Sequence, residues 1–195
     1  MCLKLRSSDA GLIPILLIGC LMLPVTAASA AAPDRTVMGI ALGTALLLPE
    51  CGAGGGAFTS RLCINGRLTN RKAWGADEYY VALPSSGVPP YVRGEIKVAT
   101  VQGIVESVQI GTWGLQAQSG ALAALTSQYG KPTRTAQRKK SATSRFAAQA
   151  AEWDLEDFSV KFDGNTGSID WGLIEVSTHR YRKLVADHEK RQPPR

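Results

Sequence analysis

Residues 95–112 read EIKVATVQGIVESVQIGT, two runs rich in Val and Ile on either side of Gln102-Gly103. Ile96, Val98 and Thr100 alternate with Glu95, Lys97 and Ala99. After the turn, Val108 and Ile110 alternate with Ser107 and Gln109. A period of two puts one set of side chains on one side of an extended chain. The stretch therefore predicts an antiparallel hairpin with one buried face. A lone hairpin is marginal in water, so the rest of the chain must extend the sheet and cover it.

The cover comes next. In GLQAQSGALAALTSQYGKPT the residues Gln118, Ala121, Leu122, Leu125 and Tyr129 recur at helical spacing. Gly130, Lys131 and Pro132 form a helix stop. The pattern predicts a helix over 116–129 whose Ala- and Leu-rich face lies flat on the sheet. Alternation returns in AEWDLEDFSVKF, where Ala151, Trp153 and Leu155 share one face and Glu152, Asp154 and Glu156 the other. Phe158, Val160 and Phe162 follow in the same manner, then a glycine-rich turn and a strand from Leu173 to Thr178. Upstream, Thr36–Gly43 reads as a short strand, Leu62–Ile64 as a strand entering a turn at Asn65-Gly66, and Glu78–Leu83 as a strand stopped by Pro84. Residues 132–148 are basic and poor in apolar side chains, and read as a loop. Residues 179–195 carry Tyr181, Leu184, Val185 and His188 at helical spacing and read as a basic helix or tail. The expected fold is α+β: an antiparallel sheet, built of a hairpin and a meander, covered by one main helix.

The amino-terminal segment constrains the compartment. Lys4 and Arg6 precede an apolar run from Leu12 to Val25, and Ala28-Ser29-Ala30 follows as a small-x-small cleavage motif. That order predicts a secretory signal peptide over residues 1–30, cleaved near Ala30; a bilayer span needs about 20 apolar residues. Leu17-Ile18-Gly19-Cys20 resembles a lipoprotein box, but Leu21-Met22-Leu23 carry the apolar run past the cysteine. Cleavage after Ala30 is therefore expected ahead of lipidation at Cys20, placing the protein in the periplasm or outside the cell. A single domain over 31–178 remains, with the tail behind it. Loss of Lys4, Arg6 and Asp9 lowers the formal charge from +6 to +5, and Cys51 and Cys63 become the two cysteines left. In an exported chain two such cysteines are expected to pair, closing an N-terminal loop that contains Gly52, Gly54, Gly55 and Gly56.

These glycines invite other readings, which the spacing disfavours. A phosphate-binding P-loop needs Lys and a hydroxyl after its last glycine, whereas Ala57 and Phe58 follow Gly56. Gly52-x-Gly54-x-Gly56 lacks the dinucleotide-binding spacing, and a structural zinc site wants four ligands where only His179 and His188 accompany the cysteines. No G-x-S-x-G elbow occurs. Asp163, Asn165, Gly167 and Asp170 resemble the opening of a calcium loop, but Ser168 and Ile174 stand where Gly and Glu are required. No cofactor or metal is expected. The basic segment 132–148 lacks interleaved aromatics of the kind that single-strand binders use, so no nucleic-acid partner is expected. Glu152, Asp154, Glu156 and Asp157 cluster, and a hydrolase of cell-envelope material using carboxylates near Glu152 is the alternative to a binding role.

Aromatic and cationic residues supply the candidate binding surface: Trp74, Tyr79, Tyr80 and Tyr91, with Arg71 and Arg93. Trp113 is expected to pack where the helix begins, and Trp171 lies near a turn. The stretches GIALGTALLLPEC, Cys63, VATVQGIVESVQIGT, ALAALTSQYGKPT and AAEWDLEDFSVKF resemble those of small secreted proteobacterial proteins without an assigned activity, over residues 37–178. Residues 95–178 also resemble β-lactamase-inhibitor-like and outer-membrane-assembly lipoprotein domains. That likeness implies a non-catalytic domain that binds other proteins. The expected function is thus a periplasmic or secreted module recognising another protein or an envelope component. The basic tail, Arg180 to Arg195, adds an expected weak contact with anionic surfaces.

Overall fold

The structure, a computed structural model, describes residues 34–52, 58–68, 72, 74–139 and 147–192. The expected leader with Cys20, most of the glycine-rich loop, and Arg71 lie outside the described residues. Met38 and Gly39 both take positive φ, 50° and 81°. This folds the expected first strand back on itself, so that β1 (Thr36–Val37) and β2 (Ile40–Ala41) pair as a small antiparallel ribbon.

The main sheet begins with β3 (Phe58–Thr59) and β4 (Cys63–Arg67), both paired with β5 (Ala76–Pro84). Asn65-Gly66 does not turn the chain, contrary to expectation. The strand runs through it, with a shift of register between Ile64 and Gly66; a bulge uses the same permissive residues as a turn. The hairpin is β6 (Val92–Val101) and β7 (Ile104–Thr112). Gln102 and Gly103 both have positive φ, 55° and 78°, the geometry that matches a two-residue turn to the twist of its strands. Helix α1 (Gly114–Tyr129) follows and ends at Gly130 with φ 79°. Then come β8 (Arg134–Lys139), β9 (Ala147–Asp154), β10 (Phe158–Asp163), β11 (Gly172–Thr178) and α2 (His179–Arg191).

From β5 the sheet runs β5-β6-β7-β11-β10-β9-β8, and β3 and β4 share the outer edge of β5. Every pairing between the described strands is antiparallel except that of β3 with β5. The expected loop at 132–148 is corrected over 134–139, which forms the edge strand β8. Its side chains from Arg134 to Gln137 face solvent, so no alternation marks it, and the backbone pairing that holds it to β9 does not depend on side-chain type.

One face of the sheet carries the main core. Ala121, Leu125 and Tyr129 of α1 pack with Val98, Val108, Ile110, Trp153, Phe158, Val160, Phe162, Ile174 and Val176. The Tyr129 ring meets Phe158 edge-on at 6.0 Å. Gln118 locks the helix to β9: its side chain accepts from the Gln149 amide at 3.0 Å and donates to the Ala147 carbonyl at 3.3 Å. Burial of this kind supplies the main drive to fold.

The opposite face is built differently. Register places Ser159 beside Ser177, Ser177 beside Ser107, and Ser107 beside Ala99. This row of small, fully buried side chains lets α2 lie close against β7 and β11. The expected C-terminal helix thus docks on the sheet. Thr178 caps it, accepting from the Tyr181 amide at 3.1 Å. Tyr181 is buried with Ala76, Ala99 and Val101, and burial pushes its hydroxyl pKa up to about 12. Arg180 reaches buried Glu106 at 3.1 Å, and Thr178 also donates to that carboxylate.

Cys51 and Cys63 are joined, with 5.0 Å between their Cα atoms. The amide of Cys51 donates to the Ile64 carbonyl and that of Ile64 to the Pro49 carbonyl, so the bridge fastens the N-terminal segment to β4. Reduction, or Cys51→Ser with Cys63→Ser, is expected to lower stability by about 2–3 kcal/mol, the amount for a loop of this length. The urea midpoint of oxidised and reduced protein, measured side by side, checks this; coincident midpoints would contradict it.

Candidate functional site

Three strand ends meet at one corner of the sheet. Val92 of β6 stands opposite Thr112 of β7, and Thr112 opposite Gly172 of β11. The neighbours of these residues in sequence are Tyr91 and Arg93, Trp113, and Trp171, so register alone gathers one arginine and three aromatics. The guanidinium of Arg93 lies against both indoles, 4.7 Å from the ring centre of Trp113 and 4.8 Å from that of Trp171. Its Nη1 donates to the Asp170 carbonyl at 2.7 Å. Each indole stack contributes about 0.5–1 kcal/mol at an exposed site.

The surroundings hold this stack in place. The Trp113 amide donates to the Tyr91 carbonyl at 3.1 Å. A methyl group on Gly111 would lie 3.2 Å from Trp171 Cζ2, so the indole rests against bare backbone. The turn before Trp171 is closed by its own side chains: the Asn165 amide donates to Asp163 and the Gly167 amide to Asn165, both at 3.0 Å. The Leu115 amide of α1 donates to the Ile169 carbonyl at 2.9 Å, tying that turn to the first turn of the helix. The residues that resembled the start of a calcium loop are thus engaged in the turn itself. Among the described residues no group of three or more His, Cys, Asp or Glu side chains is gathered to hold a metal.

Yet the corner is open to solvent. Trp113 is 46% exposed, Trp171 42% and Ile169 56%, three of the four large apolar side chains exposed among the described residues. Beside Trp113 runs a groove of about 370 Å³ lined by Pro90, Tyr91, Trp113, Gln116, Ala117 and Gly120. None of these side chains is charged at neutral pH, and burial raises the pKa of the Tyr91 hydroxyl.

Of the residues expected to form one binding surface, the structure joins Tyr91 and Arg93 and separates the others. Tyr79 and Tyr80 are consecutive on β5, so they point to opposite faces; Tyr79 lies under Arg67 at 5.7 Å, and Tyr80 stands opposite Lys97. Trp74 is half-buried beside α2, its ring 5.3 Å from that of His188. Arg71 falls outside the described residues. Trp113 and Trp171, absent from the expected set, complete the corner. Trp113, expected to pack where the helix begins, stands open beside Arg93 instead.

Glu152 and Asp154 sit on the face that bears α2, while Asp157, in the turn after β9, pairs with Arg35. Arg182 approaches Glu152 at 3.1 Å and Asp154 at 3.7 Å, and Arg134 lies 3.9 Å from Glu152. A shallow groove of about 500 Å³ beside them is lined by Arg134, Glu152, Lys161, Asp163 and Glu175 among others. Mixed charge and close guanidinium partners describe an ion-pair network that fastens α2. Arg180 and Arg182 of the basic tail are turned toward sheet carboxylates. No described helix is long and apolar enough to cross a membrane. Comparison with protein families, with characterised proteins and with solved structures finds no match to this chain.

Proposed function

We propose that the protein is a non-catalytic binding module of the periplasm or of the secreted fraction, and that it recognises another protein or an envelope component through the corner formed by Tyr91, Arg93, Trp113 and Trp171. The observation that carries this reading is the Trp113–Arg93–Trp171 group, exposed and yet held by hydrogen bonds from Arg93 to the Asp170 carbonyl and from the Trp113 amide to the Tyr91 carbonyl. Trp, Tyr and Arg dominate the energetics of interfaces, and anchors held rigid before binding lose little entropy on association. The disulfide fits an oxidising compartment, and the leader expected over residues 1–30 would take the chain there. The hydrolase alternative asks Glu152 and Asp154 to act on a substrate, whereas their arginine partners account for both.

Photocrosslinking in intact cells tests the proposal. A photoreactive residue at Trp171 is expected to capture one abundant envelope or secreted component, and the same residue at Trp74, beside α2, is expected to capture much less. Equal capture at both positions, or none at Trp171 and Trp113, would sink it.

A further inference from the structure

We infer that the partner presents an acidic–apolar segment: a carboxylate that pairs with the edge of Arg93 and a neighbouring apolar side chain that lies in the groove beside Trp113. This rests on the binding-module reading above and names the chemistry of its occupant. Trp113 and Trp171 lie against the guanidinium, their ring centres 4.7 Å and 4.8 Å from its carbon, which leaves the N–H groups in the guanidinium plane as its means of meeting a ligand. Arg carries five N–H donors in that plane. Nη1 spends one on the Asp170 carbonyl, and no ion pair joins Arg93 to a carboxylate among the described residues. An in-plane fork of donors selects a flat two-oxygen acceptor, and a carboxylate meets it bidentately. The charge is also held where water is partly excluded by indole, which strengthens a charge-assisted hydrogen bond.

The second half of the site is the groove. It begins at Trp113, the ring shared with the stack, and continues over Pro90, Tyr91, Ala117 and Gly120. It carries no charged side chain, and Gly120 leaves it open, since a Cβ there would meet nothing within 4 Å. A cation and an uncharged trough that share the Trp113 ring fit an extended protein segment with Asp or Glu next to an apolar residue. A neutral sugar would use the indole faces and gain little from a fixed cation, so a protein segment that carries a carboxylate is the occupant the charge favours.

The test uses terminally blocked hexapeptides with Phe one or two positions from Asp, and the same peptides with Asn for Asp. Binding to the full-length secreted protein is read by tryptophan fluorescence. The Asp peptides are expected to saturate the signal and the Asn peptides to bind roughly tenfold or more weakly, as loss of a charge-assisted pair implies. Raising the salt to about 0.5 M is expected to weaken only the Asp peptides. Arg93→Gln should erase the difference between Asp and Asn, and Arg93→Lys should restore only part of it, because the charge returns without the fork. Near-UV circular dichroism of both variants confirms that the corner is intact; should Arg93→Gln disturb it, the Asp-to-Asn comparison on the native protein still decides. Equal binding of the Asp and Asn peptides, or no saturation by either, overturns the inference. So does chitotriose binding that survives Arg93→Gln while the peptides fail, which would make the corner a sugar platform. Capture of a protein at Trp171 alongside failure of the Asp peptides removes this inference and leaves the binding module standing; failure of both removes both.

Discussion

Gly114→Ala is expected to destabilise the fold by about 3–4 kcal/mol and to dislodge Trp171 from Arg93. Gly114 begins α1 with φ 54°, where a Cβ costs about 1 kcal/mol or more. Space is the larger problem. The added carbon would lie 2.2 Å from the Ile169 carbonyl oxygen, 2.6 Å from the Trp171 amide nitrogen and 2.7 Å from the Asp170 carbonyl carbon. All three are backbone atoms of the turn that carries Trp171, so no side-chain rotation relieves the overlap, and overpacking of this kind adds about 1–3 kcal/mol. Either the helix start or the turn must move. Gly103→Ala, in the hairpin turn, is the control. Gly103 also has positive φ, 78°, but a Cβ there meets nothing within 4 Å, so its cost should be the backbone strain alone, about 1 kcal/mol. Urea denaturation of the two variants separates the effects, and tryptophan fluorescence reports the displaced indole. A Gly114→Ala protein as stable as Gly103→Ala would contradict this account.

Trp153→Ala is expected to cost about 3–5 kcal/mol, the range for large aromatic truncations in a core. Trp153 is 1% exposed and lies among Tyr129, Phe158 and Val160 in the main core. It also does a second thing: its Nε1 donates to the Gly130 carbonyl at 2.7 Å, at the end of α1. The ring thus fills the space between helix and sheet and satisfies a carbonyl that the helix leaves open. Trp153→Phe keeps part of the filling and removes the donor, so it should fall between the native protein and Trp153→Ala. If Trp153→Ala stayed within about 1 kcal/mol of the native protein, α1 would not be held by this contact.

Much of the sheet could be read from the chain, for reasons that identify what could not. The hairpin at 95–112, the meander from Ala151 to Thr178 and the helix ending at Gly130 each carry a continuous apolar face, and its burial imposes the period that reading depends on; the hairpin's other face, expected to be open, is buried too, through Ala99, Val101 and Ser107 beneath α2. β8 has no such face, since its described side chains are exposed, and it left no pattern. The fold-back at Met38-Gly39 depends on a left-handed methionine, which composition does not announce. The functional corner was half legible. Tyr91 and Arg93 stood out as an aromatic and a cation near a strand start, but their company was set by pairing between β6, β7 and β11. Trp74 and Tyr79 stood out for the same reason and were carried elsewhere, because residues adjacent in sequence need not share a face or an end of the sheet.

The order of strands bears on how such a chain is made. The last strand in sequence, β11, sits in the middle of the sheet, between β7 and β10. An emerging polypeptide that has completed everything through β10 still consists of two half-sheets, each with an open edge facing where its neighbour should be. Open edges invite pairing with other chains, and contacts between distant segments form slowly. The seam closes only when Gly172–Thr178 arrives, and α2, which follows at once, then lies down across the join. A chain with this wiring stays unfinished until Gly172–Thr178 is available, which makes it dependent on protection from aggregation until that strand is in place.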